Sequence, residues 1–272
     1  MISFPNCKIN LGLNVLHKRN DGYHELQTVF YPIALNDVLE IIQQDKQGID
    51  FSVSGLEINT GSEKNLCIKA YRLLKKDFPD LPGIKMHLHK SIPPGAGLGG
   101  SSSDGAFSLK LINRKFNLGL TIEKMIDYAL QLGSDCPFFI INKPCFATGR
   151  GEFLEPISLD LSSYKFILIN NGIHINTAGA FKQIHPAQST VSIKEIVQQP
   201  VESWKDKLKN DFEEPIFKKY PDLRLIKEKL YKKGALYSSM TGSGSTVYGI
   251  FKKENNIEPD FPENYFVKVL DG

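Results

Sequence analysis

No window of this 272-residue chain approaches about 18 uninterrupted apolar residues, so no membrane-spanning helix is expected. Met1-Ile2-Ser3-Phe4-Pro5 has no charged region leading into an apolar stretch, and no secretory signal is expected there. Cysteine is scarce. Cys7, Cys67, Cys136 and Cys145 are scattered without a C-x-x-C pair, which sets aside zinc-finger spacing and a disulfide framework. Reduced thiols in a cytoplasmic protein are the simple reading. Neither sign of charge prevails: 33 Lys and Arg face 30 Asp and Glu, for a net charge of +3. That balance is too mild to argue for a nucleic-acid partner, though it suits a small anionic substrate. No repeat or long low-complexity segment interrupts a composition that is 41% hydrophobic and 23% charged, the profile of a globular chain.

The length accommodates one large domain or two ordinary ones. Alternation over Cys7–Leu16 predicts a half-buried strand, with Cys7, Ile9, Leu11, Leu13 and Val15 inward and Lys8, Asn10, Gly12 and Asn14 outward. Short strands are expected at Val38–Gln43, Phe51–Val53, Gly83–Lys90 and Cys145–Thr148, and helices at Asn65–Lys76, Ala106–Ile112 and Thr121–Leu132. The last of these carries a stripe of Ile122, Met125, Ile126, Ala129 and Leu130 and stops at Gly133. Tyr164–Asn170 reads as a new buried strand after Pro156 and Ser162-Ser163. A boundary near residue 160 then gives domains 1–160 and 161–272. The second half holds helical stretches near Thr177–Gln183, Trp204–Lys219 and Asp222–Lys233. Strands follow at Ala235–Met240, Thr246–Phe251 and Tyr265–Leu270. The fold class is α+β.

The densest local signal is Pro93-Pro94-Gly95-Ala96-Gly97-Leu98-Gly99-Gly100-Ser101-Ser102-Ser103-Asp104. Glycines remove side chains so that backbone N–H groups can converge on an anion, and the serines are suited to cap the helix that follows. A turn feeding a helix N-terminus is a phosphate site. Three loops compete. Gly95, Gly97 and Gly100 satisfy G-x-G-x-x-G, but the run follows a proline pair rather than a strand and lacks the acidic strand end expected about 20 residues later. A Walker A loop needs Lys where this chain has Ser101. The third reading is a lysine-free loop holding a nucleoside triphosphate by amides, helix dipole and hydroxyls.

Asp135, in Gly133-Ser134-Asp135-Cys136-Pro137, either caps a helix opened by Pro137 or accepts a proton from a substrate hydroxyl. Lys8 is either a solvated strand lysine or a cation sharing one face with Asn10. Asp21-Gly22-Tyr23-His24-Glu25-Leu26 is a turn ending in an aromatic ring and an imidazole. It is either a plain surface turn or a base-recognition element in which Tyr23 stacks and His24 hydrogen-bonds.

The glycine run closely resembles the central signature of the galactose, homoserine, mevalonate and phosphomevalonate (GHMP) kinase superfamily. Cys7-Lys8-Ile9-Asn10-Leu11-Gly12-Leu13 resembles its first motif and Ser239–Ser245 its third, a second glycine turn. Asn210-Asp211-Phe212-Glu213 is similar to an N-D-L-E box. The Asp21–Leu26 turn resembles the branch that phosphorylates the 2-hydroxyl of a cytidine-diphosphate-linked methylerythritol on the non-mevalonate route to isoprenoids. The resemblance implies a two-domain fold, with an N-terminal domain of the ribosomal protein S5 domain 2 type and a ferredoxin-like C-terminal domain. It implies Lys8 and Asp135 as catalytic residues, and Asn10, Tyr23, His24, Thr177 and Phe181 as acceptor contacts. It implies ATP contacts from Asn65, Lys90, Pro93, Gly95, Ala96, Gly97, Leu98, Gly99, Gly100, Ser101, Ser102 and Ser103. ATP and Mg²⁺ are the implied co-substrate and cofactor, and no residue is assigned as a metal ligand. The expected partner is a small molecule with a cytidine diphosphate group, with no nucleic acid or membrane, bound by a monomer or homodimer. Another small-alcohol kinase and a non-catalytic nucleotide-binding protein are the alternatives.

Overall fold

The structure, a computed structural model, describes residues 1–57, 61, 64–184, 186 and 191–272. The first elements are β1 (Ile2–Ser3), β2 (Asn6–Lys18), β3 (His24–Asn36), β4 (Val38–Gln44), β5 (Ile49–Gly55), α1 (Leu66–Asp77) and β6 (Gly83–Lys90). There follow α2 (Gly100–Phe116), α3 (Ile122–Leu132), α4 (Cys136–Ile141), β7 (Cys145–Thr148), β8 (Phe153–Pro156) and β9 (Tyr164–Asn170). The chain ends through α5 (Thr177–Phe181), α6 (Ile193–Ile196), α7 (Glu213–Lys219), α8 (Pro221–Lys232), β10 (Tyr237–Met240), β11 (Val247–Lys252) and β12 (Phe266–Asp271). Among the described residues no helix is long and apolar enough to cross a membrane.

Two compact units share the chain, and both are discontinuous. The first comprises Met1–Cys7, Leu35–Pro94 and Gly99–Lys143; the second comprises Lys8–Ala34, Gly95–Leu98 and Pro144–Gly272. This partition is of a different kind from a single cut near residue 160, because β2 and β3 are grouped with the later part of the chain.

The first unit contains the sheet β1-β4-β6-β5, in which β6 runs antiparallel to β4 and parallel to β5. Alternation puts Leu39 and Ile41 of β4 and Ile84, Met86 and Leu88 of β6 in the core. Helix α2 packs against β4 and against α1, α3 and α4. Its Phe107, Leu111 and Ile112 face inward as their spacing predicts. The approach of α1 is close: a Cβ on Gly105 would lie 2.9 Å from Leu66 Cβ, so only glycine fits. Asn65 caps α1 by accepting from the Cys67 amide at 2.9 Å, and Thr121 caps α3 by accepting from the Lys124 amide at 3.3 Å. The predicted stripe of α3 is only partly buried. Ala129 is covered, while Ile122 and Leu130 stay exposed.

The second unit contains two sheets, β2-β3-β7-β8 and β10-β11-β9-β12. Numbered along the chain, the latter has the order 4-1-3-2 when read from β12, with every pair antiparallel, the order of a ferredoxin-like sheet. No helix is described between β11 and β12. Leu13, Val15, Ile167, Ile169, Phe212, Leu230, Met240 and Val247 belong to one buried cluster. Strand β2 corrects the half-buried reading, because both faces are covered from Asn6 to Val15. Trp204–Lys219 is not one helix. The stretch before α7 runs extended against β2, with the Leu13 amide donating to Lys209 O and the Asp211 amide to Leu13 O, both at 2.8 Å.

Candidate active site

The glycine run has a one-way wiring. Gly95, Gly97 and Gly99 adopt φ of 66°, 79° and 71°, alternating with residues at ordinary φ. That alternation turns successive amides toward one side of the chain. Ala96 O accepts from the Thr246 amide at 3.1 Å, and Leu98 O accepts from the Lys8 amide at 3.0 Å. Gly97 O accepts from Lys8 Nζ at 3.0 Å and Thr241 Oγ1 at 3.1 Å. Among the described residues, the amides of Gly95, Ala96, Gly97 and Leu98 donate to nothing. The carbonyls of Ala96, Gly97 and Leu98 are therefore tied down while the four amides are left for an anion. Ala96 and Leu98 are buried, so they contribute backbone and not side chain.

Within the first unit, α2 begins at Gly100. The expected serine cap is absent: Gly99 holds the N-cap position in the left-handed region, with no capping side chain. Ser101 is exposed and Ser102 half-buried, whereas Ser103 is fully covered and its Oγ lacks a partner among the described residues. The Ser103 hydroxyl thus faces the interior rather than a ligand.

Lys90 is also placed differently from the expectation of an ATP contact. Its ammonium is buried between the carboxylates of Asp37 and Asp104, bonding Asp104 Oδ2 at 2.8 Å and Asp37 Oδ2 as well. Asp37 Oδ1 accepts from the amides of Ser91 at 2.6 Å and Ile92 at 2.9 Å. Burial pushes the Asp104 carboxyl up to about 7, with the Lys90 charge pulling it down and Asp37 adding to the rise. Burial opposes the charge on Lys90, but the two carboxylates outweigh it and raise its pKa.

Asp135 occupies the N-cap position of α4, ahead of Pro137, yet its side chain makes no capping bond. The plain capping role is not the one its carboxylate plays. The carboxyl is half-buried at the start of α4. Asn65 uses its side-chain oxygen as the α1 cap, leaving its amide nitrogen outside that bond.

In the second unit, Lys8 and Asn10 share a face of β2 as period two requires, and Lys8 Nζ bonds Asn10 Oδ1 at 2.6 Å. Lys8 is only 3% exposed, so the solvated-strand reading is set aside. Its ammonium also lies 5.1 Å from the centre of the Phe30 ring. Asn10 is committed internally: Nδ2 donates to Thr28 Oγ1 at 3.0 Å, and Oδ1 accepts from Thr241 Oγ1 at 3.1 Å. It orients Lys8 and Thr241 rather than reaching outward to an acceptor.

The Asp21–Leu26 turn is fastened at several points. Asp21 Oδ1 accepts from the Tyr23 amide at 3.1 Å, and Arg19 pairs with Asp21 and Glu25. Glu25 Oε1 accepts from the Gly149 amide at 2.8 Å. Tyr23 remains 54% exposed, with the Arg150 guanidinium 4.7 Å from its ring centre. Phe181 stacks on His24, not on Tyr23, at 4.8 Å and 13°, and presses edge-on against Phe212. No base fits between His24 and Phe181 at that spacing, so the open stacking surface is Tyr23. Burial, and then Lys18, lower the His24 pKa, which favours a neutral imidazole able to donate and accept. Thr177 is exposed, with Oγ1 3.1 Å from Ser243 Oγ of the third motif.

The Asn210–Glu213 box serves as a clamp. Asn210 Nδ2 donates to Met240 O and Gly242 O, Asp211 Oδ2 accepts from the Val15 amide at 2.7 Å, and Glu213 Oε1 accepts from the Met240 amide at 2.8 Å. It ties β2 to the second glycine turn. Thr28, Thr241, Asp37, Asp104 and Arg150 escaped the sequence reading as functional positions. Only Asp104, at the end of the glycine run, and Thr241, inside the third motif, lay within recognised signals.

Models of the GHMP kinases N terminal domain and of the GHMP kinases C terminal match residues 65–143 and 192–260. A 4-diphosphocytidyl-2-C-methyl-D-erythritol kinase of Bacteroides fragilis (strain YCH46) is 51% identical over 259 residues, 94% of either chain. One of Cytophaga hutchinsonii is 49% identical over 266 residues, covering 97% of this chain and 96% of its own. A crystal structure of 4-(cytidine 5'-diphospho)-2C-methyl-D-erythritol kinase superposes with a TM-score of 0.82 at 27% identity, covering all of both chains. With that identity over nearly its whole length, this α+β chain belongs to the 4-diphosphocytidyl-2-C-methyl-D-erythritol kinase family of the GHMP kinases.

Proposed function

We infer that this chain transfers the γ-phosphoryl group of ATP to the 2-hydroxyl of 4-diphosphocytidyl-2-C-methyl-D-erythritol, yielding the 2-phosphate and ADP, in isoprenoid precursor synthesis. The observation that carries the reading is the glycine loop, in which the carbonyls of Ala96, Gly97 and Leu98 are engaged and, among the described residues, the amides of Gly95–Leu98 are not. Free amides beside a helix N-terminus bind phosphate oxygens without a lysine in the loop.

In this reading Gly95–Ser102 cradle the triphosphate. Asp135 accepts the proton of the 2-hydroxyl as that oxygen attacks the γ-phosphorus and the bond to the β-phosphate oxygen breaks. Lys8, oriented by Asn10, offsets the negative charge gathering on the attacking oxygen. Tyr23 presents a face to the cytosine and His24 its hydrogen bonds. Thr177 and Phe181 border that pocket. The remote base thereby contributes binding energy that positions the hydroxyl. Among the described residues no three His, Cys, Asp or Glu side chains form a metal cage. Mg²⁺, were it bound with the nucleotide, would supply neutralisation of charge on the transferring group. We further propose a cytoplasmic enzyme, monomeric or homodimeric, acting on small molecules without a nucleic-acid or membrane partner. A division into 1–160 and 161–272 is supported by the gap between the two matched family ranges.

The test is ADP release from ATP and Mg²⁺ with the cytidyl acceptor, run beside mevalonate and homoserine. Turnover is expected with the cytidyl acceptor alone. Turnover with another alcohol instead would overturn the Tyr23–His24 pocket, and none with any acceptor would leave a nucleotide-binding protein.

A further inference from the structure

Helix α2 starts without a local device to fix its direction. Gly99 holds the N-cap position and offers no side chain, and no serine takes over the bond. Its first amides nevertheless have to point at a phosphate, a task that a freely fraying turn performs badly. What holds the turn lies beneath it. Lys90, the last residue of β6, sends its ammonium to Asp104 Oδ2, 14 residues along the chain, at 2.8 Å. The same ammonium bonds Asp37, whose other oxygen accepts from the amides of Ser91 and Ile92. The residues that enter the glycine loop and the residue that leaves it are thus tied through one buried cation. Gly100 rests on this arrangement: a Cβ there would lie 2.9 Å from Ile92 Cγ2 and 3.4 Å from Lys90 Nζ.

We propose that Asp37, Lys90 and Asp104 are positioning residues for the nucleotide: they hold the two ends of the glycine loop and the first turn of α2 in register for the triphosphate. Lys90 and Asp37 are closed off from solvent, and Asp104 almost so. A buried ion pair is weak evidence of a contribution to stability, since its desolvation offsets its attraction, so a conformational role is the better account of a charged triad in this place. The proposal rests on the glycine loop being the ATP site.

The test compares variants that keep or break the tie. Asp104→Asn keeps an oxygen for Lys90 and is expected to raise the KM for ATP by less than about threefold. Asp104→Ala removes it. The double substitution Lys90→Met with Asp104→Asn breaks the tie while leaving Asp37 its two amide donors. For these two variants the KM for ATP is expected to rise about tenfold or more, with the KM for the acceptor unchanged. Should the double variant fail to fold, Asp104→Ala against Asp104→Asn decides alone. A wild-type ATP KM in the tie-breaking variants, or an equal rise in both KM values, overturns the proposal. Gly97→Ala, measured alongside, separates the two claims: if it too leaves ATP binding untouched, the loop itself is not the nucleotide site.

Discussion

Replacing Gly97 with alanine tests whether the loop must sit where it does. The new Cβ would fall 2.2 Å from the carbonyl oxygen of Thr241 and 3.0 Å from that of Gly244, both backbone atoms that cannot swing aside. Ordinary contact begins at 3.4 Å, so the loop has to retreat by about 1 Å. The φ of 79° at Gly97 adds roughly 1–2 kcal/mol for any residue bearing a Cβ. Retreat also stretches the bonds that Gly97 O accepts from Lys8 and Thr241, at about 1 kcal/mol each. The loss of stability is then roughly 3–4 kcal/mol. Displacement of a reacting group by about 1 Å costs on the order of 100-fold in rate, so kcat/KM for ATP is expected to fall by at least that factor. The matched control is Gly119→Ala, with φ of 70° but nothing within 4 Å of the added carbon. It should show the backbone penalty alone, with ATP kinetics intact. Thermal unfolding and coupled ADP release measure both variants. Equal melting temperatures and equal ATP kinetics for the two would refute the claim that the Thr241 carbonyl wall fixes the loop.

Two substitutions address the chemistry and the acceptor pocket. Asp135→Asn should lower turnover by roughly 100- to 10,000-fold, the range for a lost general base, with the Kd for ATP nearly unchanged; a fully active variant ends the base assignment. Tyr23→Ala should raise the acceptor KM about tenfold or more and leave kcat close to wild type, because a stacking face is worth about 1–3 kcal/mol per base and lies away from the reacting oxygen. An unchanged acceptor KM moves the cytosine elsewhere.

Local signals were legible and distant pairings were not. The glycine run and the Asp21–Leu26 turn carry their chemistry within a few residues, so the sequence displays them directly. Strand β3 gave no such signal: Pro32 sits inside it, and Thr28–Tyr31 are buried in succession, which erases the period of two. The start of α2 was placed six residues late, since helix propensity speaks against Gly100 and Gly105, which close packing against Ile92 and Leu66 requires.

The polar residues of β2 show why a correct pattern led to the wrong environment. Alternation put Lys8 and Asn10 on one face, and the 2.6 Å bond between them bears that out. It did not show that the face is covered, because its partners arrive from Gly97, 89 residues away, and from Thr241, 231 residues from Asn10. Lys90 repeats the lesson across the 53 residues that separate it from Asp37. A polar residue in an apolar alternation reads as exposed only while its partners are unknown. Where such partners do arrive, burial turns a surface-like lysine into one with few permitted positions. A group held that way can meet a reacting oxygen or anchor a loop without first being ordered by the substrate. Lys8 and Lys90 are both of that kind, and on the reading above the first faces the chemistry and the second fixes the scaffold beneath it.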